Sequence, residues 1–258
     1  MSGMVFHVDD DAYDRFMGRY SAKLAPLFAD FAGVSGSQRV LDVGAGTGAL
    51  AAELVDRVGA ANLAAAEPSP EFAAGLERRF GGVDVRHAPA EQMPWADGSF
   101  DLALAQLVVS FVADPPAAAA EMARLVRPGG VVAVCMWHKQ GLDLAPPLKA
   151  ARLAATPADA PPPRPLAFQT EDELVELLAG AGLREIETAV LEVASEYADF
   201  TEFWDVARAM VGPDTAWMRE VDEAALVAGR EAAYEALGSP DSAFTLSGRA
   251  VAARGVRC

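Results

Sequence analysis

The decapeptide Arg39-Val-Leu-Asp-Val-Gly-Ala-Gly-Thr-Gly48 joins an apolar, β-branched run to three alternating glycines. Its first half has the composition of a short buried strand, and residues 49–58 carry apolar side chains at helical spacing. Glycine allows a tight turn and lets the backbone approach a ligand without an intervening Cβ. The decapeptide and the residues after it therefore predict a strand, a glycine turn and a helix, in that order.

Six further strands follow along the chain, and most of them alternate with helices. The strands are predicted at residues 62–66, 83–87, 100–106, 131–137, 186–193 and 243–256. The helices are predicted at residues 71–80, 115–126, 170–180, 201–210 and 221–237. This alternation predicts a parallel sheet covered by helices on both faces. Residues 141–165 accumulate proline and alanine, which predicts a loop or a lid rather than a new domain.

The bulk composition is that of a globular protein. The chain has 258 residues, of which 52% are hydrophobic and 22% are charged, and its length suits one α/β domain with a helical elaboration. The formal net charge of -16 repels phosphate backbones and anionic lipids, so neither a nucleic-acid nor a membrane partner is predicted. The first residues lack the pattern of a secretory signal, and a cytoplasmic location is predicted.

No metal site is predicted from the sequence. Cys135 and Cys258 are too few and too far apart for a paired-cysteine zinc site or a disulfide scaffold. His7, His87 and His138 share no metal-ligand spacing.

Glu67 closes the second predicted strand, about 20 residues beyond Gly44. A carboxylate at this place can accept hydrogen bonds from both ribose hydroxyls of an adenosine. With Ala49, the glycine turn also satisfies the G-x-G-x-x-A form of the dinucleotide fingerprint. NAD(P) and S-adenosylmethionine both carry the ribose, so the glycines and Glu67 leave both cofactors open.

Five motifs in order separate the two cofactors, because together they resemble the class I S-adenosylmethionine-dependent methyltransferases. The resemblance spans residues 13–137. Its motifs are Val40-Leu-Asp-Val-Gly-Ala-Gly-Thr-Gly48, Glu67-Pro-Ser69, Ala88-Pro-Ala-Glu-Gln-Met-Pro-Trp95, Asp97-Gly-Ser-Phe-Asp101 and Leu125-Val-Arg-Pro-Gly-Gly130. In addition, Tyr13-Asp-Arg-Phe-Met-Gly-Arg-Tyr-Ser21 resembles a stretch of the small-molecule branch of this family that folds over the cofactor.

The resemblance implies a set of cofactor-binding residues. Asp42 would help to place the amino acid part of S-adenosylmethionine, the turn at Glu67 would bind the ribose, and the loop of residues 88–95 would contact the adenine. Gln106 follows the fourth strand, where an open α/β sheet places its ligand crevice. The full predicted set is Tyr20, Asp42, Gly44, Gly46, Gly48, Glu67, Pro68, Ala90, Glu91 and Gln106.

Two positions depart from the family pattern. Pro89 stands where relatives usually carry an aspartate that contacts the adenine amino group, so the backbone of Ala90 and the side chain of Glu91 are expected to serve there instead. Tyr20 replaces the more usual tryptophan. Its ring can still make a cation–π contact with the sulfonium, which is worth about 2 kcal/mol when the cation is desolvated.

The seven predicted strands and the resemblance together imply one Rossmann-like, doubly wound α/β domain. Its sheet is expected to be seven-stranded and mostly parallel, with an antiparallel last strand and helical lid insertions. The core is expected at residues 36–140, 170–196 and 243–256. Residues 1–30, 141–169 and 197–240 are expected to form lid and acceptor-binding elements.

The predicted activity is transfer of the methyl group of S-adenosylmethionine to an unidentified small molecule by in-line displacement. Such a reaction needs mainly positioning, so no catalytic residue is assigned. An NAD(P)-dependent oxidoreductase and a non-catalytic S-adenosylmethionine-binding protein stay open as alternatives, as does a homodimer. A nucleic-acid methyltransferase is disfavoured because residues 106–110 carry no target-base motif.

Aromatic and soft apolar residues concentrate in the segments outside the predicted core. Two interpretations are open, an apolar pocket for the methyl acceptor or a small satellite core. The residues concerned are Phe168, Tyr197, Phe200, Phe203, Trp204, Trp217 and Met218.

Overall fold

The computed structural model describes residues 14–157, 160, 165–210 and 215–258. Within these ranges seven strands form one sheet in the order β3-β2-β1-β4-β5-β7-β6. The strands are β1 Val40–Val43, β2 Leu63–Glu67, β3 Asp84–His87, β4 Phe100–Gln106, β5 Val126–Leu142, β6 Arg184–Tyr197 and β7 Phe244–Val256. Strands β1 to β5 run parallel, and β7 lies antiparallel between β5 and β6. The predicted fold class, including the antiparallel last strand, is confirmed.

Eight α-helices surround this sheet in the described part of the chain. They are α1 Arg19–Ala32, α2 Ala49–Val58, α3 Pro70–Arg79, α4 Pro115–Leu125, α5 Ala145–Ala155, α6 Glu171–Gly180, α7 Phe200–Ala209 and α8 Glu223–Ala236. Buried side chains of α1, α2 and α3 pack on one face of the sheet, and those of α4 and α6 pack on the other. No helix among the described residues is long and apolar enough to cross a membrane.

The register of the parallel strands brings their carboxyl ends together. Asp42 of β1 lies opposite Ala65 of β2 and Leu104 of β4. Side chains alternate between the two faces of a strand, so Glu67 and Gln106, each two residues further on, lie on the same face as Asp42. Three polar side chains are therefore placed together at the edge where the glycine turn begins.

The prediction of a loop through residues 141–165 is wrong over its middle, because Ala145–Ala155 forms helix α5. Pro146 and Pro147 lie in the first turn of this helix, where backbone N–H groups have no intrahelical partner and proline costs little. Helix α5 packs against α8 at Gly229, where an added Cβ would come within 3.0 Å of the carbonyl oxygen of Ala151. Tertiary packing, which proline content does not report, supports this helix.

The aromatic residues at the end of β6 and after it lie in the protein interior and do not line an open cleft. Tyr197 and Phe203 are fully buried, with ring centroids 5.4 Å apart, and Phe200 packs on Tyr234 at 5.0 Å. Trp204, Trp217 and Met218 are also buried in this cluster, which is continuous with the core on the α1 side of the sheet. The packing supports a core role rather than a pocket, and these residues belong to the main core rather than to a separate satellite core. Phe168 is half-buried on the opposite face.

Replacing Gly229 by Ala should destabilise the protein by about 1–3 kcal/mol, because the new methyl group overpacks the contact between α5 and α8. Gly75→Ala is the matched control, since Gly75 also lies within a helix and its added Cβ would meet only the end of the Arg78 side chain, 3.8 Å away. That control should hold or gain stability through helix propensity. Thermal denaturation of both variants checks this, and equal melting temperatures would contradict the packing described.

Candidate functional site

The glycine turn folds back onto the end of the neighbouring strand β2. The amide of Gly44 donates to the carbonyl of Ala66 at 2.8 Å, and that of Ala45 donates to the same oxygen at 3.2 Å. The backbone then takes left-handed conformations, with φ of +68° at Gly44, +55° at Gly46 and +91° at Gly48. These conformations favour glycine, which explains why the turn alternates glycine with other residues.

The three glycines differ in what surrounds them. A Cβ on Gly44 would come within 2.7 Å of Val108, and one on Gly48 would come within 2.6 Å of Phe80. A Cβ on Gly46 would meet its nearest neighbour, the carbonyl oxygen of Gly44, only at 4.0 Å. Gly44 and Gly48 therefore serve close packing of the protein itself, whereas Gly46 has open space beside it in which a ligand could lie.

Glu67 ties the glycine turn to β2. Its side chain is buried, with Oε2 accepting from the amide of Gly46 and Oε1 from the amide of Ser69, both at 2.8 Å. Burial raises the pKa of Glu67, and the two amides oppose that rise. Each carboxylate oxygen keeps a further lone pair, so Glu67 is both a brace of the turn and a hydrogen-bond acceptor.

Asp42 is the most deeply buried carboxyl of the site, with 1% of its surface exposed. It accepts a hydrogen bond from the backbone of Ala51 on α2, but Oδ2 has no partner among the described residues. Burial, followed by the nearby charge of Glu67, raises the pKa of Asp42 to about 8. A buried acceptor without a donor costs free energy, and a ligand that supplies a donor removes that cost.

Gln106 presents a second unpartnered acceptor on the same face of the sheet. Its Nε2 donates to the carbonyl of Ser21 on α1 at 3.1 Å, which leaves the buried Oε1 without a partner among the described residues. Leu107, the next residue, holds a strained φ of +62° and donates its amide to the carbonyl of Cys135. Strained backbone at the carboxyl end of a central strand is a common feature of ligand sites.

The stretch that holds the glycine turn is similar to a known protein family. Residues 41–134, from β1 into β5, match the family described as a methyltransferase domain. This stretch is therefore similar to methyltransferase domains, and the sheet has the class I methyltransferase fold. This finding confirms the family resemblance carried by the five sequence motifs.

Relatives of the methyltransferase domain are found among curated proteins and solved structures. An uncharacterized methyltransferase of Mycobacterium sp. (strain JLS) is 35% identical over 156 residues, which cover 55% of this chain and 60% of the relative. A putative type II methyltransferase from Anaeromyxobacter dehalogenans superposes with a TM-score of 0.62 at 22% identity, over 90% of this chain and 95% of that one. The cyclase SpnF superposes with a TM-score of 0.55 at 19% identity, over 99% of this chain and 88% of that one.

The sequence matches are partial in length. The chain spans 44% to 60% of the length of the curated relatives it matches.

Other residues predicted to bind the cofactor have structural partners of their own. Glu91 accepts from the amides of Ala113 and Asp114 at 2.8 and 3.0 Å, so it holds the start of α4. The carbonyl of Pro68 accepts from His87 Nε2 at 2.9 Å, and Ala90 is buried. A direct role of these three residues in binding stays a prediction.

Tyr20 lies in the hydrophobic core on the α1 side of the sheet. Its side chain is fully buried, its hydroxyl is 3.3 Å from that of Tyr197, and its ring packs edge-on against Trp137 at 6.3 Å. The predicted cation–π contact stays a prediction. Residues 1–13, with the first part of the motif that includes Tyr20, lie outside the described residues.

Two contributors to the site were missed by sequence reasoning. The amide of Ser69 holds Glu67, and the carbonyl of Ser21 orients Gln106. Both act through the backbone, which leaves little trace in residue identity. The position of Ser69 as the N-cap of α3, directly after Pro68, was the one available signal for the first.

Replacing Asp42 by Asn should stabilise the ligand-free protein increasingly as pH rises from about 4 to about 8. Folding raises the pKa of Asp42, so between the unfolded and folded pKa values the folded protein keeps a proton that the unfolded chain has lost. The contribution of Asp42 to the stability of the folded protein is therefore present at low pH and is lost as pH rises through the folded pKa. Asn carries no such proton.

The melting temperatures of both proteins across this pH range check the prediction. Asp56→Asn is the control, because Asp56 is exposed on α2. A gain that is equal at every pH, or that is largest in acid, would contradict the burial argument.

Proposed function

We propose that the protein binds S-adenosylmethionine and transfers its methyl group to a small molecule by in-line displacement. The observation that carries the proposal is a pair of buried acceptors beside the glycine turn, Asp42 Oδ2 and Gln106 Oε1, which have no donor within the part of the chain that the structure describes. Both require hydrogen-bond donors, and one of them is a carboxyl. A ligand group with several N–H donors and a positive charge fits this place.

The residues present fit each part of the cofactor. The ammonium group of its amino acid part would supply the donors that Asp42 and Gln106 lack among the described residues. Glu67, beside the open space at Gly46, has lone pairs for the ribose hydroxyls. The loop that contains Ala90 directly follows β3, at the carboxyl edge of the sheet, and the adenine is expected there.

When bound, the cofactor supplies a methyl group on a sulfonium, a leaving group already activated by its own charge. The chain's own residues would position it, with Asp42 on β1, Glu67 on β2 and Gln106 on β4 holding it from three strands. Positioning of this kind supplies several orders of magnitude in rate without a catalytic base. No base is assigned, because its need depends on the methyl acceptor.

The carboxyls also argue against the oxidoreductase alternative. A dinucleotide places its anionic pyrophosphate at the N-terminus of the helix that follows the glycine turn. Here Asp42, buried beside Glu67, presents at that turn an acceptor oxygen without a donor among the described residues, and a phosphate, which carries acceptors, does not supply that donor. The same groups favour a ligand with a cationic amino acid part.

A small-molecule acceptor is part of the proposal. The net charge of -16 opposes binding of nucleic acid and supports this choice. Acceptor binding by residues 141–169 and 197–240, which lie outside the predicted core, stays a prediction from sequence. The cytoplasmic location and a homodimer stay predictions from sequence.

Isothermal titration with S-adenosylhomocysteine, the demethylated product, tests the proposal, with NADH and NADPH as controls. Binding of S-adenosylhomocysteine alone is expected. Binding of a nicotinamide cofactor alone would overturn the proposal. Product formation from labelled S-adenosylmethionine with a panel of small acceptors then tests transfer itself, and binding without any transfer would favour the non-catalytic alternative.

Gln106→Met should weaken S-adenosylhomocysteine binding about 10- to 100-fold, the effect of losing one hydrogen bond to a charged group. Methionine keeps the length of the side chain and removes the acceptor. Gln38→Met is the control, because Gln38 lies before β1 at the opposite edge of the sheet, where it accepts from the amide of Ser35. Equal affinities of both variants and the wild type would place the ligand away from Gln106.

A further inference from the structure

We infer that the ligand-free site stores a proton on the Asp42–Glu67 carboxyl pair and that the ammonium group of the cofactor displaces it. This inference rests on the proposed function. It makes the pair a specificity determinant, because only ligands that carry the ammonium group would exchange it for the proton. Binding of such ligands would release one proton to solvent.

The geometry of the pair makes the double negative charge costly. Asp42 and Glu67 lie on neighbouring parallel strands and on one face of the sheet, and both are buried. Two like charges close together away from water repel strongly, so one of them keeps its proton. The two carboxyls are therefore expected to lose their protons in two separate steps as pH rises, as other interacting carboxyl pairs do.

The hydrogen bonds decide which member keeps the proton. Glu67 accepts from two backbone amides, those of Gly46 and Ser69, and these stabilise its ionised form. Asp42 receives one amide, from Ala51, and its Oδ2 receives none among the described residues. Glu67 is therefore the ionised member, and Asp42 is the member that holds the proton.

Among the described residues, no Lys or Arg side chain forms an ion pair with either carboxyl of the pair. On α2, Arg57 is paired with Glu53 at 2.7 Å. On α3, Arg79 donates to the carbonyl of Thr47 in the glycine turn, and Glu71 accepts from the hydroxyl of Ser69. Strand β4 contributes the uncharged Leu104 and Gln106. On β3, the ring of His87 is hydrogen-bonded to the carbonyl of Pro68, and its electrostatic effect lowers the pKa of Glu67.

The exchange balances in atoms and charge. The carboxyl O–H bond of Asp42 breaks, its proton passes to solvent, and the resulting carboxylate accepts an N–H from the entering ammonium group. Gln106 Oε1, held as an acceptor by the bond of its Nε2 to Ser21, accepts a second N–H. The cation takes over the charge compensation that the proton had provided, and the adenosine part of the ligand takes no part in the exchange.

The raised pKa of Asp42, about 8, places this exchange in the neutral range. Below that pKa the affinity for a ligand that displaces one proton rises about tenfold per pH unit, and above it the rise ends. A ligand that leaves the proton in place shows no such dependence. The preference for the ammonium-bearing ligand should therefore grow from about pH 6 to about pH 8.

Two ligands separate these cases on the wild-type protein. S-adenosylhomocysteine carries the amino acid part, and 5′-deoxy-5′-methylthioadenosine lacks it. Titration calorimetry near pH 7, in buffers with different ionisation enthalpies, counts the protons released by each. Close to one proton per S-adenosylhomocysteine is expected, and close to none for the methylthioadenosine.

Two variants assign the proton to its residue. Asp42→Asn should bind S-adenosylhomocysteine more weakly and release no proton, while Glu71→Gln, which changes a neighbouring acid outside the pair, should release as many protons as the wild type. Equal release by both ligands, or release that persists in Asp42→Asn, overturns the inference and leaves the proposed function intact. Failure of S-adenosylhomocysteine to bind the wild type overturns the proposed function itself. The ligand comparison needs no variant to fold.

Discussion

The hydrogen bond from the amide of Gly46 to the carboxylate of Glu67 joins the first two strands at the edge where the site is built. It fixes the glycine turn against the end of β2 and orients the start of α2. It also holds a buried negative charge next to Asp42, whose own Oδ2 has no donor among the described residues. The electrostatics of the site, its raised pKa and its affinity for a cationic donor follow from that arrangement.

The parallel register is what brings these groups together. Asp42, Glu67 and Gln106 come from three strands and are far apart in sequence, yet alternation along each strand places all three on one face. Helix α1 covers that face, and the carbonyl of Ser21 binds Gln106 Nε2, which leaves Gln106 Oε1 without a donor among the described residues. The fold thus buries acceptors that lack a hydrogen-bond donor among the described residues. A ligand that donates to them removes the cost of their burial, and this gain contributes to its binding free energy. The fold alone does not settle the reaction, since the cyclase SpnF shares it at 19% identity.

Sequence reasoning predicted the elements whose local pattern agrees with their tertiary role. The strand, turn and helix around Gly44 are of this kind, and so is β4, whose predicted bounds coincide with Phe100–Gln106. Helix α5 was missed because its prolines lie in the first turn, where they are tolerated, and because its support comes from α8. Some hydrogen bonds could not be predicted because residue type alone does not indicate them. Examples are the bonds of Glu91 to the start of α4 and of Tyr20 to Tyr197.

A crystal structure of the protein with bound S-adenosylhomocysteine tests the central claim most directly, because the claim concerns which atoms the ligand satisfies. The account predicts that the ammonium nitrogen donates to Asp42 Oδ2 and Gln106 Oε1, with the ribose hydroxyls on Glu67. A ligand bound with these acceptors still unpartnered, or with its amino acid part directed away from β1, would contradict it.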